Sequence, residues 1–318
     1  MGIVASIKAD PPIALIAGPT GVGKSALAIA LAETFRGEII SADSRQVYRG
    51  LEIGTAQPSA EELARVRHHL VGFLPPDQPF SAAMFVHHAE RALAEIAARG
   101  RVAFLVGGTH HYVRALLDRF EVPSVAPRWQ VREELEQLGR GGGAAELHAR
   151  LSRVDPAAAA SIPMANVRRV VRALEVFEAT GQVFSEVGRR RGQPRQALRL
   201  AVTMPREQLY ARIDARIDHM LQHGWLDEVR GLLTSGHSTS LPALTSTGYR
   251  ELIRHLQGET SLDEAVRQVK YSTHAYVRRQ YAWLRRDPDL EWLEQGPDLY
   301  DKVKAQVEAY LSVSRPGS

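Results

Sequence analysis

Eight residues near the start of the chain carry the clearest chemistry: Gly18, Pro19, Thr20, Gly21, Val22, Gly23, Lys24 and Ser25. They satisfy G-x-x-x-x-G-K-[ST] at every fixed position. Glycines at that spacing let the backbone fold so that several N–H groups point at one anion. The lysine then reaches the outer phosphate oxygens, and the serine hydroxyl is placed to ligate Mg²⁺. An apolar run, Ile13 to Ala17, reads as a strand entering the loop, and Ala26 to Ala32 reads as a helix leaving it. The positive end of that helix adds to the pull on an anion. The loop specifies a polyphosphate without saying which one.

The elements that must position this loop follow from the pattern of apolar runs. Strand-like stretches at Ile13 to Ala17, Glu38 to Ser41 and Arg101 to Val106 alternate with helical ones through Phe35, from Ser59 to Arg67 and from Ser81 to Arg99. Such alternation predicts an α/β fold, a parallel sheet flanked by helices in the manner of phosphate-loop NTPases. Ligands of such sheets sit at the carboxyl ends of the strands. The three strand ends carry the loop at Gly18, the pair Asp43-Ser44, and Gly107-Gly108-Thr109, so all three are expected in one crevice. After Asp118 the character changes. Helical patterns at Arg128 to Leu138, Ala144 to Leu151 and Val167 to Thr180, with a flexible Gly141-Gly142-Gly143 between the first two, predict an all-helical insertion over 119–197. Leu198 to Met204 returns the chain to the sheet, and helices follow from Arg206 to Gln222, Leu226 to Leu233, Gly248 to Leu256 and Leu262 to Arg286. The predicted catalytic core therefore comprises 1–118 and 198–318.

Composition narrows the chemistry. The chain has 318 residues, 44% of them hydrophobic, which suffices for a packed core, and no cysteine, which excludes disulfides, zinc–thiolate sites and cysteine nucleophiles. No apolar run approaches a membrane span, and the first residues lack the regions of a signal peptide. The expectation is a soluble, cytoplasmic monomer without membrane contact. Net charge is +4, but arginines cluster at Arg168, Arg169 and Arg172, at Arg189, Arg190, Arg191 and Arg195, and at Arg278, Arg279, Arg285 and Arg286. Charge alone leaves two readings open, an anionic polymer as partner or a set of solvated helix faces. Histidines come in adjacent pairs, His68-His69, His87-His88 and His110-His111, which point apart on a helix and make poor metal sites. Tyr271, Tyr276, Tyr281 and Trp283 are spaced as an aromatic helix face packed on the core.

Several further segments share one order with the loop: SADSRQVYRG (Ser41 to Gly50), LEIGTAQP (Leu51 to Pro58), VGGTHHY (Val106 to Tyr112), RRVVRALEVFEATG (Arg168 to Gly181), LYARIDARIDHML (Leu209 to Leu221), TSTGYREL (Thr245 to Leu252) and RRQYAWLRR (Arg278 to Arg286). Together they resemble the tRNA dimethylallyltransferases, also called tRNA isopentenyltransferases, collinearly over roughly residues 12 to 293. The resemblance implies attack of N6 of adenosine 37, beside the anticodon, on C1 of dimethylallyl diphosphate, with release of diphosphate. An allylic diphosphate ionises more readily when charge building on the leaving group is met by fixed cations and donors. By resemblance these are Lys24, Mg²⁺ on Ser25, the loop amides and Arg216, with Arg212 one helical turn earlier. Asp43 matches the family's candidate general base, since an exocyclic amine needs a carboxylate to take its proton. In other phosphate-loop proteins an aspartate at a strand end holds Mg²⁺ instead, and the family pattern favours the base. Thr109 matches a residue used near diphosphate and tRNA.

The resemblance further implies that the target base leaves its stack and is held by flanking contacts. The RNA contacts would come from Asp43, Ser44, Arg45 and Gln46, from Thr109 and Arg132, from Arg168, Arg169, Val170, Val171 and Arg172, and from Thr245, Ser246, Thr247, Gly248, Tyr249 and Arg250. The insertion would grip the anticodon stem through arginines that neutralise phosphates. The chain departs from the family at Ala165-Asn166, at His110-His111 and in a lengthened segment from Pro127 to Arg132. Three rivals remain: an adenylate isopentenyltransferase acting on free AMP, ADP or ATP, a small-molecule kinase using the same loop, and an RNA-binding protein with a relic loop. The long helical stretch counts against the first. The lack of a second strand-end aspartate late in the sheet counts against the kinase. The joint presence of Lys24, Ser25, Asp43 and Arg216 counts against the third.

Overall fold

The computed structural model describes residues 10–120, 129–186 and 192–314. The predicted features at Pro123, Pro127 and Arg128, and at Arg189, Arg190 and Arg191, lie outside these residues. The elements run β1 (Ile13–Ala17), α1 (Lys24–Phe35), β2 (Glu38–Ser41), α2 (Ala60–Arg65), β3 (His68–His69), α3 (Ala82–Ala98), β4 (Ala103–Gly107) and α4 (His110–Leu117). Then come α5 (Trp129–Leu138), a π-helical turn (Gly139–Gly143), α6 (Ala144–Val154), α7 (Pro156–Ser161) and α8 (Val167–Thr180). The chain continues through β5 (Leu198–Thr203), α9 (Arg206–Gln222), α10 (Trp225–Thr234), α11 (Tyr249–Leu256), α12 (Leu262–Leu284), β6 (Glu291–Glu294) and α13 (Leu299–Ser314).

Six strands form one sheet in the order β3-β2-β4-β1-β5-β6, with every neighbouring pair parallel. The central strands β1 and β4 are buried at every position, as expected where helices cover both faces. Ile16, Phe104, Val106, Leu200 and Val202 meet Leu27, Leu31, Leu209 and Ile213 in one apolar core. Because β2, β4 and β1 are neighbours, their carboxyl ends bring Asp43, Gly108 and the phosphate loop together, as the alternation predicts. The elements not anticipated are the edge strands β3 and β6, the short helices α4 and α7, and α13, whose Leu299, Val303 and Val307 join the main core. β3 has two residues at the edge, before the apolar Leu70-Val71-Gly72-Phe73, and β6 at the other edge has exposed ends, Glu291 and Glu294, around half-buried Trp292 and Leu293. At α3, Ser81 Oγ accepts the Met84 N–H at 3.2 Å, which is the anticipated cap.

The chain divides into two compact units, one of Met1–Phe80, Phe85–Val113 and Gln196–Ser318, the other of Ser81–Met84 and Arg114–Arg195. These borders fall at Val113 and Arg195, where the sequence reading puts them at 118 and 197. Arg195 is fastened to α4, its backbone N–H on Leu117 O at 2.7 Å and its Nη1 on Leu116 O at 3.1 Å. The second unit has its own core of Leu135, Leu147, Leu151, Ile162 and Leu174, which also takes in Val170 and Val171. The glycine run there is a π-helical turn, with Gly142 at φ +90°.

Candidate active site at the strand ends

The loop before α1 is built around backbone that L side chains resist. Gly18 has φ +143°, and a Cβ there would stand 2.6 Å from Val202 O. Gly23 caps α1 in a left-handed conformation, and no side chain caps the helix. The first-turn N–H groups are therefore left for a ligand. Lys24 Nζ folds back to donate to Pro19 O at 2.7 Å. A cavity of about 360 Å³ opens in front of the loop. Its walls include Thr20, Gly21, Gly23, Lys24, Ser25, Asp43, Gln46, Gly108, Arg212 and Arg216.

Charge in this cavity is arranged for an anion. Burial pushes the Lys24 ammonium down to about 8, Asp43 pulls it back up, and Arg216 pushes it down again. Arg216 is likewise lowered by burial first, raised by Asp43 and lowered by Arg212. Among the described residues, no carboxylate sits within ion-pair distance of Arg212 or Arg216. A buried lysine and a half-buried arginine, with the exposed Arg212 beside them, thus share the cavity with one carboxylate, an excess of positive charge that a multiply charged phosphate group relieves.

Asp43 is oriented by its own turn. Its Oδ1 accepts the backbone N–H groups of Arg45 at 2.8 Å and Gln46 at 3.3 Å. Its Oδ2 takes no hydrogen bond among the described residues. Thr109 ties β4 to the same turn: its N–H donates to Ala42 O and its Oγ1 accepts the Ser44 N–H, both at 3.2 Å. Two tyrosines face this carboxylate electrostatically. Burial raises the Tyr276 hydroxyl to about 12 and raises that of Tyr112 further, with Asp43 adding to both.

The residues predicted to contact RNA fall into distinct environments. Gln46 is spent on the cavity wall, its amide donating to Thr55 O and Ala56 O and its Oε1 accepting from Ser41 Oγ. Arg45 donates to Pro242 O at 2.5 Å. Thr245 Oγ1 and Ser246 Oγ bond locally to Pro242 O and Ala243 O, and Arg250 pairs with Glu251 at 2.6 Å. The Gly248 N–H donates to Glu251, and Thr247 is half-buried in the same turn. The Tyr249 side chain offers no surface to RNA, being buried with its hydroxyl on Glu228 at 2.6 Å. In the helical unit, Val170 and Val171 likewise belong to the core, while Arg168 and Arg169 are exposed. Arg132 and Arg172 converge on Glu175 Oε2 at 2.7 and 2.8 Å.

Other expectations are corrected. The aromatic residues of α12 divide: Tyr281 packs against the core and stacks on Trp292 and Tyr276 is half-buried, while Tyr271 and Trp283 are 67% and 48% exposed. His69 Nε2 lies 2.7 Å from the buried carboxylate of Glu38, and His68 Nδ1 lies 2.8 Å from Val66 O. Sequence reasoning missed Gln280, which bonds to both the phosphate loop and the turn after β4. Gln280 has no local signal, standing as one amide among the arginines of α12.

A parallel sheet with a phosphate loop, and on one cavity a carboxylate and two arginines without an ion-pair partner among the described residues, defines a phosphate-loop transferase or hydrolase. The family follows from comparison. The family model described as IPP transferase matches residues 46–287, and one described as isopentenyl transferase matches residues 11–72. A tRNA dimethylallyltransferase of Roseiflexus sp. (strain RS-1) is 51% identical over 301 residues, 94% of this chain and 99% of that protein. One from Thermomicrobium roseum is 46% identical, covering 96% and 92%. The solved tRNA isopentenylpyrophosphate transferase of Bacillus halodurans superposes with TM-score 0.71 at 36% identity, covering 95% of this chain and 97% of that one. A eukaryotic dimethylallyltransferase whose structures show it acting on tRNA reaches TM-score 0.80 at 26% identity, covering 97% and 81%. The chain belongs to the IPP transferase family of tRNA dimethylallyltransferases, prenyltransferases of the alkyl/aryl transferase class.

Proposed function

We propose that this enzyme transfers the dimethylallyl group of dimethylallyl diphosphate to N6 of adenosine 37 in the anticodon stem-loop of tRNA. The observation that carries the reading is one cavity shared by the phosphate loop, Arg212, Arg216 and Asp43. The diphosphate lies against the amides of Gly21, Gly23 and Lys24, and its charge competes with Pro19 O for the Lys24 ammonium. As the C1–O bond of the donor breaks, Lys24 and Arg216 meet the charge growing on diphosphate. The N6 lone pair forms the new C1–N bond, and the N6 proton passes to Asp43 Oδ2. The fixed Oδ1 keeps that second oxygen turned to its task.

The Ser25 hydroxyl opens on the cavity, and a hydroxyl with diphosphate oxygens is the hard, all-oxygen donor set that suits Mg²⁺. Bound there, Mg²⁺ would neutralise part of the leaving group's charge. Arg168 and Arg169 are proposed to meet stem phosphates, with Arg132 and Arg172 presented from Glu175. The reading places the protein in the cytoplasm, where tRNA is modified. Among the described residues no helix is long and apolar enough to cross a membrane.

Purified protein incubated with radiolabelled dimethylallyl diphosphate and either unmodified tRNA or AMP tests the reading. Label is expected on tRNA, at an N6-substituted adenosine. Label on AMP alone, or on neither, overturns it.

A further inference from the structure

The geometry points to Gln280 as a positioning residue that locks the diphosphate cradle in register with the turn bearing the proton acceptor. The inference rests on the transferase reading of the cavity. Gln280 sits near the end of α12 and is 5% exposed, between arginines that face solvent. Both ends of its amide are used. Oε1 accepts the Thr20 N–H at 2.9 Å, and Nε2 donates to Gly108 O at 3.3 Å. These partners are 260 and 172 residues away in sequence. Gly108 is small for this reason: a Cβ there would stand 2.2 Å from Gln280 Nε2.

The path continues past Gly108. The Thr109 N–H bonds to Ala42 O, and Thr109 Oγ1 accepts the Ser44 N–H, so Asp43 is bracketed by residues fixed through Thr109. A continuous chain of hydrogen bonds thus runs from the loop through Gln280 and Thr109 to the Asp43 turn. Only a side chain that accepts at one terminal atom and donates at the other makes both bonds, and at this length the glutamine amide does so at any pH, a glutamate only when protonated. It turns the Thr20 N–H away from the anion, and the Val22 N–H is held by Pro19 O, which leaves the amides of Gly21, Gly23 and Lys24 to wrap it. A small relative shift of leaving group and proton acceptor is costly in rate, which gives such a strut its value.

The helix does not need Gln280 to dock. Tyr281 Oη lies 3.0 Å from Thr203 Oγ1, and His274 Nε2 lies 2.9 Å from Asp214. Variants at 280 are therefore expected to fold.

Gln280→Met keeps the length and removes both polar contacts. It is expected to lower kcat/KM for dimethylallyl diphosphate roughly ten- to a hundredfold, the scale of a buried N–H left without its partner. It should also weaken inorganic diphosphate binding, read by calorimetry, by about tenfold, and leave tRNA affinity within about twofold. Gln280→Glu supplies a sharper reading. Its carboxylate keeps an acceptor for Thr20 but sets an oxygen against Gly108 O. Once protonated, its O–H donates to Gly108 O and restores the pair of contacts. The deficit of Gln280→Glu relative to wild type should therefore narrow steadily as pH falls from about 8 to about 5.5. Diphosphate affinity and donor kinetics unchanged in Gln280→Met, a loss confined to tRNA affinity, or a deficit of Gln280→Glu that ignores pH would each overturn the inference. The diphosphate measurement needs no acceptor, so it stands even if wild-type protein transfers nothing, which would sink the transferase reading instead.

Discussion

Arginine serves opposite purposes in the two units. On the cavity of the sheet unit, Arg216 is half-buried and Arg212 is exposed beside it, and among the described residues neither has a carboxylate at ion-pair distance. In the helical unit, Arg132 and Arg172 close on the fully buried Glu175, which fixes them in place. Uncompensated positive charge is unfavourable until an anion arrives, so the first pair marks chemistry. Compensated charge is compatible with a resting fold, so the second pair marks architecture that can present a side chain. Counting arginines in the sequence does not separate these cases. Asking what each one touches does.

The largest effect expected from breaking this contrast is at the anion side. Lys24→Ala should cut transfer by about a thousandfold, the scale of losing a preorganised donor to a developing anion, with no loss of melting temperature. Single-turnover transfer and a thermal melt check this. Arg216→Gln should cost about a hundredfold in transfer while sparing tRNA affinity. If Arg216→Gln instead lowers stability and not turnover, the two arginine pairs play the same role and the contrast fails.

On the architectural side, Glu175→Gln should destabilise the protein by about 2 kcal/mol, because it strips a buried charge from two arginines. Chemical denaturation reads this, and donor kinetics should hardly move. The pH dependence of diphosphate binding sharpens the cavity half. With its ammonium lowered to about 8, Lys24 is charged in the free enzyme below that pH and discharges above it. Bound anion favours the charged form, so binding above pH 8 should take up a proton, visible as buffer-dependent heats that vanish in Lys24→Met. The smallest effect belongs to the exposed pair. Arg168→Ala and Arg169→Ala should each weaken tRNA binding about threefold and flatten its salt dependence by roughly one phosphate contact.

Much of the sheet unit was legible because local rules agree there. The phosphate loop has fixed spacing, its strand and helix flank it, and the alternation of elements forces the strand ends together. The rest depends on partners distant in sequence. β6 is an edge strand of four residues whose outward positions are polar, so no apolar run announces it. Tyr271 and Trp283 have helical spacing but face outward, since periodicity gives a face and not what covers it. The resemblance named segments rather than side-chain directions, so Tyr249 and Val170 entered with their exposed neighbours although both are core. Gln280 escaped because both its bonds cross most of the chain.

The account turns on Asp43 taking the proton while the loop and arginines hold the leaving group. Single-turnover transfer by Asp43→Asn, beside separate affinities for tRNA and for diphosphate, tests this most directly. The account predicts transfer reduced by about a thousandfold or more, with tRNA affinity retained and diphosphate bound as tightly or more tightly. Near-normal transfer by Asp43→Asn, or a loss explained wholly by weaker binding, would contradict it.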